Sequence, residues 1–423
     1  MKPIANTNKE VITPTKTKKL GAEEAIKFNP FLPEFHTDPY PIYHRLRSEE
    51  PIHRSFIGVW VFTRYADVRA VLRDPRFSSA PIPKQIKEKE QHVGQFDAIA
   101  QSSDKWLVFL EPPDHTRLRG LASKAYSAGV VERMRPQIQK IVDELIGKVR
   151  NTGFMDIVSD LAYLLPTIVL ARILGVPDED HCQLRRWSNN LGSIFEPLMS
   201  LESYGHLNQV AVEFTDYFRS LITERKKRPK EDLISDLLVV RDRGELIGED
   251  EVLYICMALC TGGERNTVNL IGNGILALLR HPDQMEKLKQ EPGILPSAVE
   301  ELMRYDSSAQ MIARVATEGV KIGDQTIRAG EHVYLCLGAA NRDPAQFRDP
   351  DKLDITRSDN HHLALGGGIH YCIGATQTRG QVQIAIKTLV QQLPNLKLHT
   401  DKLEWRENFA VRGLKALPVT FTP

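Results

Sequence analysis

LALGGGIHYCIGATQTRGQ, residues 363–381, is the stretch that decides the reading of this chain. Three glycines, Gly366 to Gly368, precede His370, Tyr371 and Cys372, and Gly374 follows. Glycine lets backbone approach a flat ligand closely. Helical composition resumes near Cys372 and runs past Leu389, so the cysteine is expected where a helix begins. Free N–H groups and the positive end of the helix dipole would face its sulfur there and favour a thiolate.

A lone cysteine presented in this way suits haem iron, because a thiolate pushes electron density toward bound dioxygen and favours O–O cleavage. The bland alternative is a glycine-rich turn carrying an inert thiol. The other four cysteines, Cys182, Cys256, Cys260 and Cys336, are scattered, and no CxxC pair occurs, which argues against a zinc site or a redox motif. Cys256 and Cys260 lie four apart in an apolar helical run and read as buried core thiols.

The bulk composition excludes other classes. With 55 basic and 54 acidic residues there is no charge block to meet nucleic acid or a basic partner. The first 25 or so residues are polar, with four lysines between Lys9 and Lys19 and no apolar signal core, and read as a flexible tail. DLAYLLPTIVLARILGVP, the most apolar stretch, is interrupted by Pro166 and Arg172 and falls short of the roughly 20 apolar residues of a membrane span. The expectation is a cytoplasmic protein: a tail over residues 1–25 and one domain over residues 26–423.

That domain reads as mainly helical with small β regions. A helix opens at residues 38–50, and WVFTRY, residues 60–65, is β-branched and aromatic and predicts a strand. Ser78 to Phe109 reads as a long loop with at most short helical pieces. Helical periodicity dominates from Asp114 to Lys227, with breaks expected at Gly153, Pro166, Gly175 and Gly205. A long helix is predicted from Glu251 to His281, roughly 45 Å at about 1.5 Å per residue, with an odd interior: Gly262-Gly263-Glu264-Arg265-Asn266. Leu295 to Tyr305 is helical, residues 320–338 form short strands with a Gly-Asp turn, and LPVTFTP closes as a strand.

The Cys372 segment resembles the haem-binding loop of the cytochrome P-450 superfamily, FxxGxxxCxG. Gly368, Cys372 and Gly374 match, and Leu365 replaces the usual Phe that shields the sulfur. Further matches follow in the family's order. Glu301 and Arg304 match ExxR, a buried structural pair in the family. EPPDHTRLRGLASKAYS, residues 111–127, and MIARVATEGV, residues 311–320, supply His115, Arg119 and Arg314, which with His370 are the implied contacts to the haem propionates. Guanidinium can donate two parallel bonds to a carboxylate. Residues 339–357 resemble the loop that leads to the haem segment, with Leu353 for a usual Phe.

The resemblance implies the P-450 fold, with haem b between the long central helix and the Cys-loop helix and Cys372 as the iron ligand. VNLIGNGILALLRHPDQ, residues 268–284, resembles soluble bacterial members acting on natural-product scaffolds and sets the register of the central helix. In that register Arg265 and Asn266 occupy the oxygen-activation positions where the family carries an acid and an alcohol; a shift of one residue would restore Glu264 as the acid. Thr267 lies about 100° further round the helix and is not a substitute.

The implied function is a monooxygenase or related oxidase on a small organic substrate. Electrons would come from a separate ferredoxin or flavodoxin and its reductase, since the chain ends soon after the haem segment. A monomer is expected, with no nucleic-acid or membrane partner. Basic Arg117, Arg119 and Lys124 are expected near the electron-accepting face. Two rivals stand beside this: a peroxide-driven enzyme in which Arg265 anchors a substrate carboxylate, as in peroxygenases that carry Pro where Asn266 stands, and a non-catalytic haem-binding protein.

Overall fold

The structure, a computed structural model, describes residues 28–94, 96–196, 199–242 and 248–423; the expected tail over residues 1–25 lies outside them. Strand β1 is Ile52–Arg54, β2 Trp60–Phe62, β3 Phe77–Ser78, β4 Phe154–Asp156, β5 Met311–Ala316, β6 Val320–Ile322, β7 Gln325–Ile327, β8 His332–Cys336, β9 Lys397–Leu398 and β10 Pro418–Thr420. The WVFTRY strand stops at Phe62. Asp343 accepts the Tyr65 backbone N–H at 2.8 Å, which satisfies an unpaired donor of the helix Tyr65–Val71. β2 joins the sheet β1-β2-β8-β5-β3, in which only β2 and β8 run parallel. β6 and β7 form the expected hairpin about Gly323-Asp324, with Gly323 at φ +57°. β10 closes a small sheet between β4 and β9.

The remainder is helical, and the largest apolar cluster is the helical one. The helix Ala375–Gln392 packs against Ala128–Val149 and against Arg265–Arg280, which places the Cys372 loop under the middle of the molecule. Leu295–Tyr305 is helical as predicted.

Three expectations are corrected. Residues 78–109 are not mainly loop: Pro81–Val93 is a 13-residue helix, followed by Asp97–Ser102. Pro81 starts it at a position where a missing N–H costs nothing, and Ile82 and Ile86 lie four apart on its buried side. Pro166 and Gly205 do not break helices. Pro166 is the third residue of Leu164–Leu174, which follows the π-helical turn Val158–Ala162. Gly205 lies inside Leu201–Lys227, whose start is capped by Ser200 and whose burial of Phe214 and Phe218 outweighs the roughly 1 kcal/mol that a helical glycine costs.

The central helix is two helices, Glu249–Gly263 and Arg265–Arg280, broken at Glu264 with φ −113°. Two adjacent glycines weaken the helix there. The ends are tied to neighbours instead: Ser188 Oγ donates to the Cys260 carbonyl at 2.7 Å, and Thr167 Oγ1 donates to Glu264. Glu264 is 1% exposed and its Oε2 has no hydrogen-bond partner among the described residues. Burial pushes its carboxyl up to about 7, against the pull of the Thr167 and Ser188 hydroxyls and Arg185.

The element that locks the helices to the sheet-side loops is the pair Glu301–Arg304, both 0% exposed. Two parallel bonds join them at 2.7 and 2.8 Å. Arg304 also donates to the carbonyls of Asn341 and Pro350 at 2.9 and 2.7 Å, while Glu301 accepts from Arg357, Asn360 and the Asp354 backbone.

Two consequences are measurable. Glu301→Ala leaves Arg304 buried and uncompensated, so guanidinium denaturation should show a loss of about 3–5 kcal/mol; a loss below about 1 kcal/mol would mean that the pair is not what holds these loops. Glu264 binds a proton more tightly folded than unfolded, so its contribution is complete below the unfolded value of 4.5 and is lost as pH rises through about 7. Glu264→Gln should flatten that decline in unfolding free energy, and an unchanged slope would assign it to another group.

Candidate functional site

Cys372 lines a cleft of about 190 Å³ together with Gly262 and Gly263 of the central helix and with Leu107, Val108 and Thr378. Its backbone N–H donates to the Leu365 carbonyl at 2.9 Å, closing the loop. Gly368 is required in this turn. Its φ is +66°, and a Cβ there would sit 2.2 Å from the carbonyl oxygen of Leu72. The following helix begins at Ala375, with Gly374 as its N-cap, so Cys372 precedes the helix rather than opening it. Burial pushes the Cys372 thiol up, while the Gly374 N–H and the charges of Arg119 and Arg379 pull it down. The local field alone therefore does not make the thiolate expected from helix position; a bound cation would, since a coordinating thiol is deprotonated outright.

The four expected anion contacts converge at one corner. His115 comes from the helix Asp114–Ser123, Arg314 from β5, and His370 from the turn before Cys372. The His115 and His370 rings lie 4.5 Å apart. Both ring nitrogens of His115 and Nε2 of His370 are buried without partners among the described residues. Arg314 is 5% exposed and donates only to the carbonyl of its neighbour Ala313. Half-buried Arg119 donates to the Tyr371 carbonyl. Burial, with the charge of Arg119, lowers His115 to about 4. Burial, with Arg314, His115 and Arg119, lowers His370 to about 3, and burial takes Arg314 to about 10 against the opposing charge of Glu111. This is a nest of donors from which an anion is missing, and it fits the two carboxylates of haem.

On the distal side Arg265 turns inward rather than to solvent. It packs on Gly192, where an added Cβ would meet its Nη1 at 3.1 Å, and it faces Glu196 without a hydrogen bond to any described residue. Burial lowers it, with Glu196 opposing. Asn266 accepts a hydrogen bond from Ser308 Oγ at 2.8 Å. Thr267 Oγ1 pairs with Thr378 Oγ1 of the Cys-loop helix at 3.2 Å. The break thus sends Glu264, Arg265 and Asn266 to three different neighbours, and none of the three lines the cleft that holds Cys372.

Sequence reasoning missed Glu196, Ser308 and Trp106. Trp106 Nε1 is buried without a partner among the described residues; it lies nine residues before His115. A tryptophan near a donor cluster was a readable signal; nothing local marks Ser308 or Glu196. Conversely, Arg117 is not an open surface charge, because Glu251 and Asp114 pair with it.

The comparisons agree with this geometry. The family model "Cytochrome P450" matches residues 53–414. The Biotin biosynthesis cytochrome P450 of Bacillus subtilis is 41% identical over 392 residues, 92% of this chain and 97% of that protein. The Polyketide biosynthesis cytochrome P450 PksS of the same organism is 37% identical and covers 94% of this chain and 100% of that one. The crystal structure of P450BioI in complex with an acyl carrier protein ligated to hexadec-9Z-enoic acid superposes with a TM-score of 0.86 at 41% identity, over 92% of this chain and all of that one. Among the described residues no helix is long and apolar enough to cross a membrane. The convergence of donors above one loop cysteine and the match along almost the whole chain have one explanation: the chain belongs to the cytochrome P450 family, enzymes that bind haem b and act as monooxygenases.

Proposed function

We propose that Cys372 is the axial iron ligand and that His115, Arg119, Arg314 and His370 hold the haem propionates. The observation that carries this is the buried donor corner without an anion, beside the one cysteine that lines the cleft. Bound there, haem supplies the oxygen-activating chemistry, and the thiolate supplies its electron push. This chain's residues do the rest. The Gly368 turn fixes the sulfur, Arg119 and Arg314 pair the carboxylates, and Leu107, Val108 and Phe195 exclude water from the apolar side of the cleft.

The substrate proposed is a lipidic or polyketide-like chain. The support is an apolar cleft together with relatives named for biotin and polyketide biosynthesis, one of them solved with an acyl chain on its carrier protein. Electrons are proposed to arrive from a separate ferredoxin or flavodoxin with its reductase, to a cytoplasmic monomer. Ile369 and Tyr371, 47% and 39% exposed, lie in the Cys372 loop and present its apolar docking surface. Arg117 and Arg119 are engaged elsewhere, so that docking rests less on their charge than the sequence suggested.

A second reading has one observation in its favour. Arg265 is a largely buried guanidinium with no bonded anion, and a substrate carboxylate would satisfy it, as in the peroxide-driven alternative. Glu196 competes for the same charge, which favours the first reading. The third alternative, a haem binder without catalysis, gives way to a family of enzymes.

Cys372→Ser should abolish the red-shifted Soret band of the reduced carbon monoxide complex, and Arg119→Ala with Arg314→Ala should weaken haem retention by about 1.5–3 kcal/mol per lost charge-assisted bond. Persistence of the band, or unchanged haem affinity in the double variant, would refute these assignments. Arg265→Leu separates the two readings of the distal side. The carboxylate reading predicts that a free fatty acid loses its spin-state shift while its methyl ester keeps it, and that peroxide-supported turnover falls; equal effects on acid and ester would end it.

A further inference from the structure

Tyr371, the residue before Cys372, is held at both ends by arginines. Arg119, on the helix Asp114–Ser123, donates to its carbonyl, and Arg379 donates to its hydroxyl at 3.3 Å. Arg379 lies one turn into the helix Ala375–Gln392 that follows the Cys372 loop.

The Arg379 guanidinium is itself fixed from behind. Its Nε and Nη2 donate to the two oxygens of Glu300 at 2.7 and 2.8 Å, a bidentate pair that leaves Nη1 for Tyr371. Glu300 stands on the helix Leu295–Tyr305, next to Glu301 of the buried pair. His362 completes the set. Its Nδ1 accepts the Ala364 backbone N–H at 3.2 Å, so in the neutral ring Nε2 carries the proton and faces Glu300 at 3.2 Å. The His362 side chain is 3% exposed, Glu300 27% and Arg379 29%. Burial pushes Glu300 up, but the bonds from Arg379 and His362 overcome it and hold the carboxyl at about 2, so it is ionised at any ordinary pH.

This network ends at the sulfur. Burial pushes the Cys372 thiol up, and the Arg379 charge is one of the groups that pull it down. An arginine in this place stabilises negative charge on the thiolate, and the carboxylate locked behind it takes part of that effect back. We propose that Glu300 is a positioning residue: it fixes Arg379 behind Cys372 and partly neutralises it, so that the pair sets the reduction potential of the group bound through that sulfur. The inference rests on the reading that Cys372 ligates haem. Reduction adds negative charge to the haem and its thiolate, so a positive charge nearby favours the reduced form and a negative charge the oxidised form. Both partners are partly exposed, so solvent weakens this field without cancelling it.

A spectroelectrochemical titration of the substrate-free holoprotein reads the pair without turnover. Glu300→Gln keeps the size and a hydrogen bond but frees the Arg379 charge, so the midpoint potential should rise. Arg379→Gln leaves Glu300 unopposed, so the potential should fall. Arg379→Lys keeps the charge and should lower it less. A merely structural pair behaves differently, because loosening the Cys372 loop from either side admits the same water and moves both single variants the same way. Shifts of one sign, no shift, or an equal fall for lysine and glutamine overturn the proposal. If Arg379→Gln does not retain haem, Glu300→Gln is titrated with and without added salt. Its rise should shrink as salt screens the freed charge, and a rise indifferent to salt overturns the proposal. Failure of the haem reading shows itself separately: the wild type would then lack the red-shifted Soret band of the reduced carbon monoxide complex, and the proposal falls with it.

Discussion

A buried positive group without a hydrogen-bonded counter-charge is the constraint from which this molecule is best understood. Arg314 is 5% exposed and His115 2%, and neither has a carboxylate within hydrogen-bonding distance. Desolvating a guanidinium without an anion costs several kcal/mol, so the folded chain is poised for a ligand with negative charge. The two imidazoles respond by staying neutral, and the arginine cannot. The three groups arrive from a helix at residues 114–123, a strand at 311–316 and a turn at 368–370. Helical and sheet regions therefore meet at this corner, and the Glu301–Arg304 pair gathers the carbonyls of Asn341 and Pro350 in the loop that leads to Cys372.

The legible parts of the fold were those set by local chemistry. Leu295–Tyr305 reads directly because its apolar period is strong, and the Gly323 hairpin reads because a positive φ demands glycine. The donor corner read through the order of its residues along the chain, a resemblance rather than a physical derivation. What did not read was decided by tertiary partners. Pro81–Val93 is polar enough to pass for loop, and it is helical because Ile82 and Ile86 find the core. The strand at Trp60 ends early because Asp343, far along the chain, offers a cap to Tyr65. Ser308 and Glu196 could not have been singled out, since their importance lies in where distant segments deliver them.

The broken central helix shows how one local weakness redistributes chemistry. An unbroken helix would set Glu264 and Arg265 about 100° apart on a continuous surface. The break instead sends Glu264 toward Thr167 and Ser188, and Arg265 toward Gly192 and Glu196. Acid and base are separated onto different neighbours and do not neutralise each other. The carboxyl nearest the glycines is held by hydroxyls, in a burial that favours its protonated form.

Beyond the break the chain presents a guanidinium packed on Gly192 and an amide held by Ser308. Arg265 has no proton to lose at any ordinary pH, and the Asn266 amide oxygen accepts from Ser308. Neither side chain passes a proton along as a carboxylate does. Glu264 carries the nearest exchangeable carboxyl proton on this helix, yet it is turned to the far side of the break.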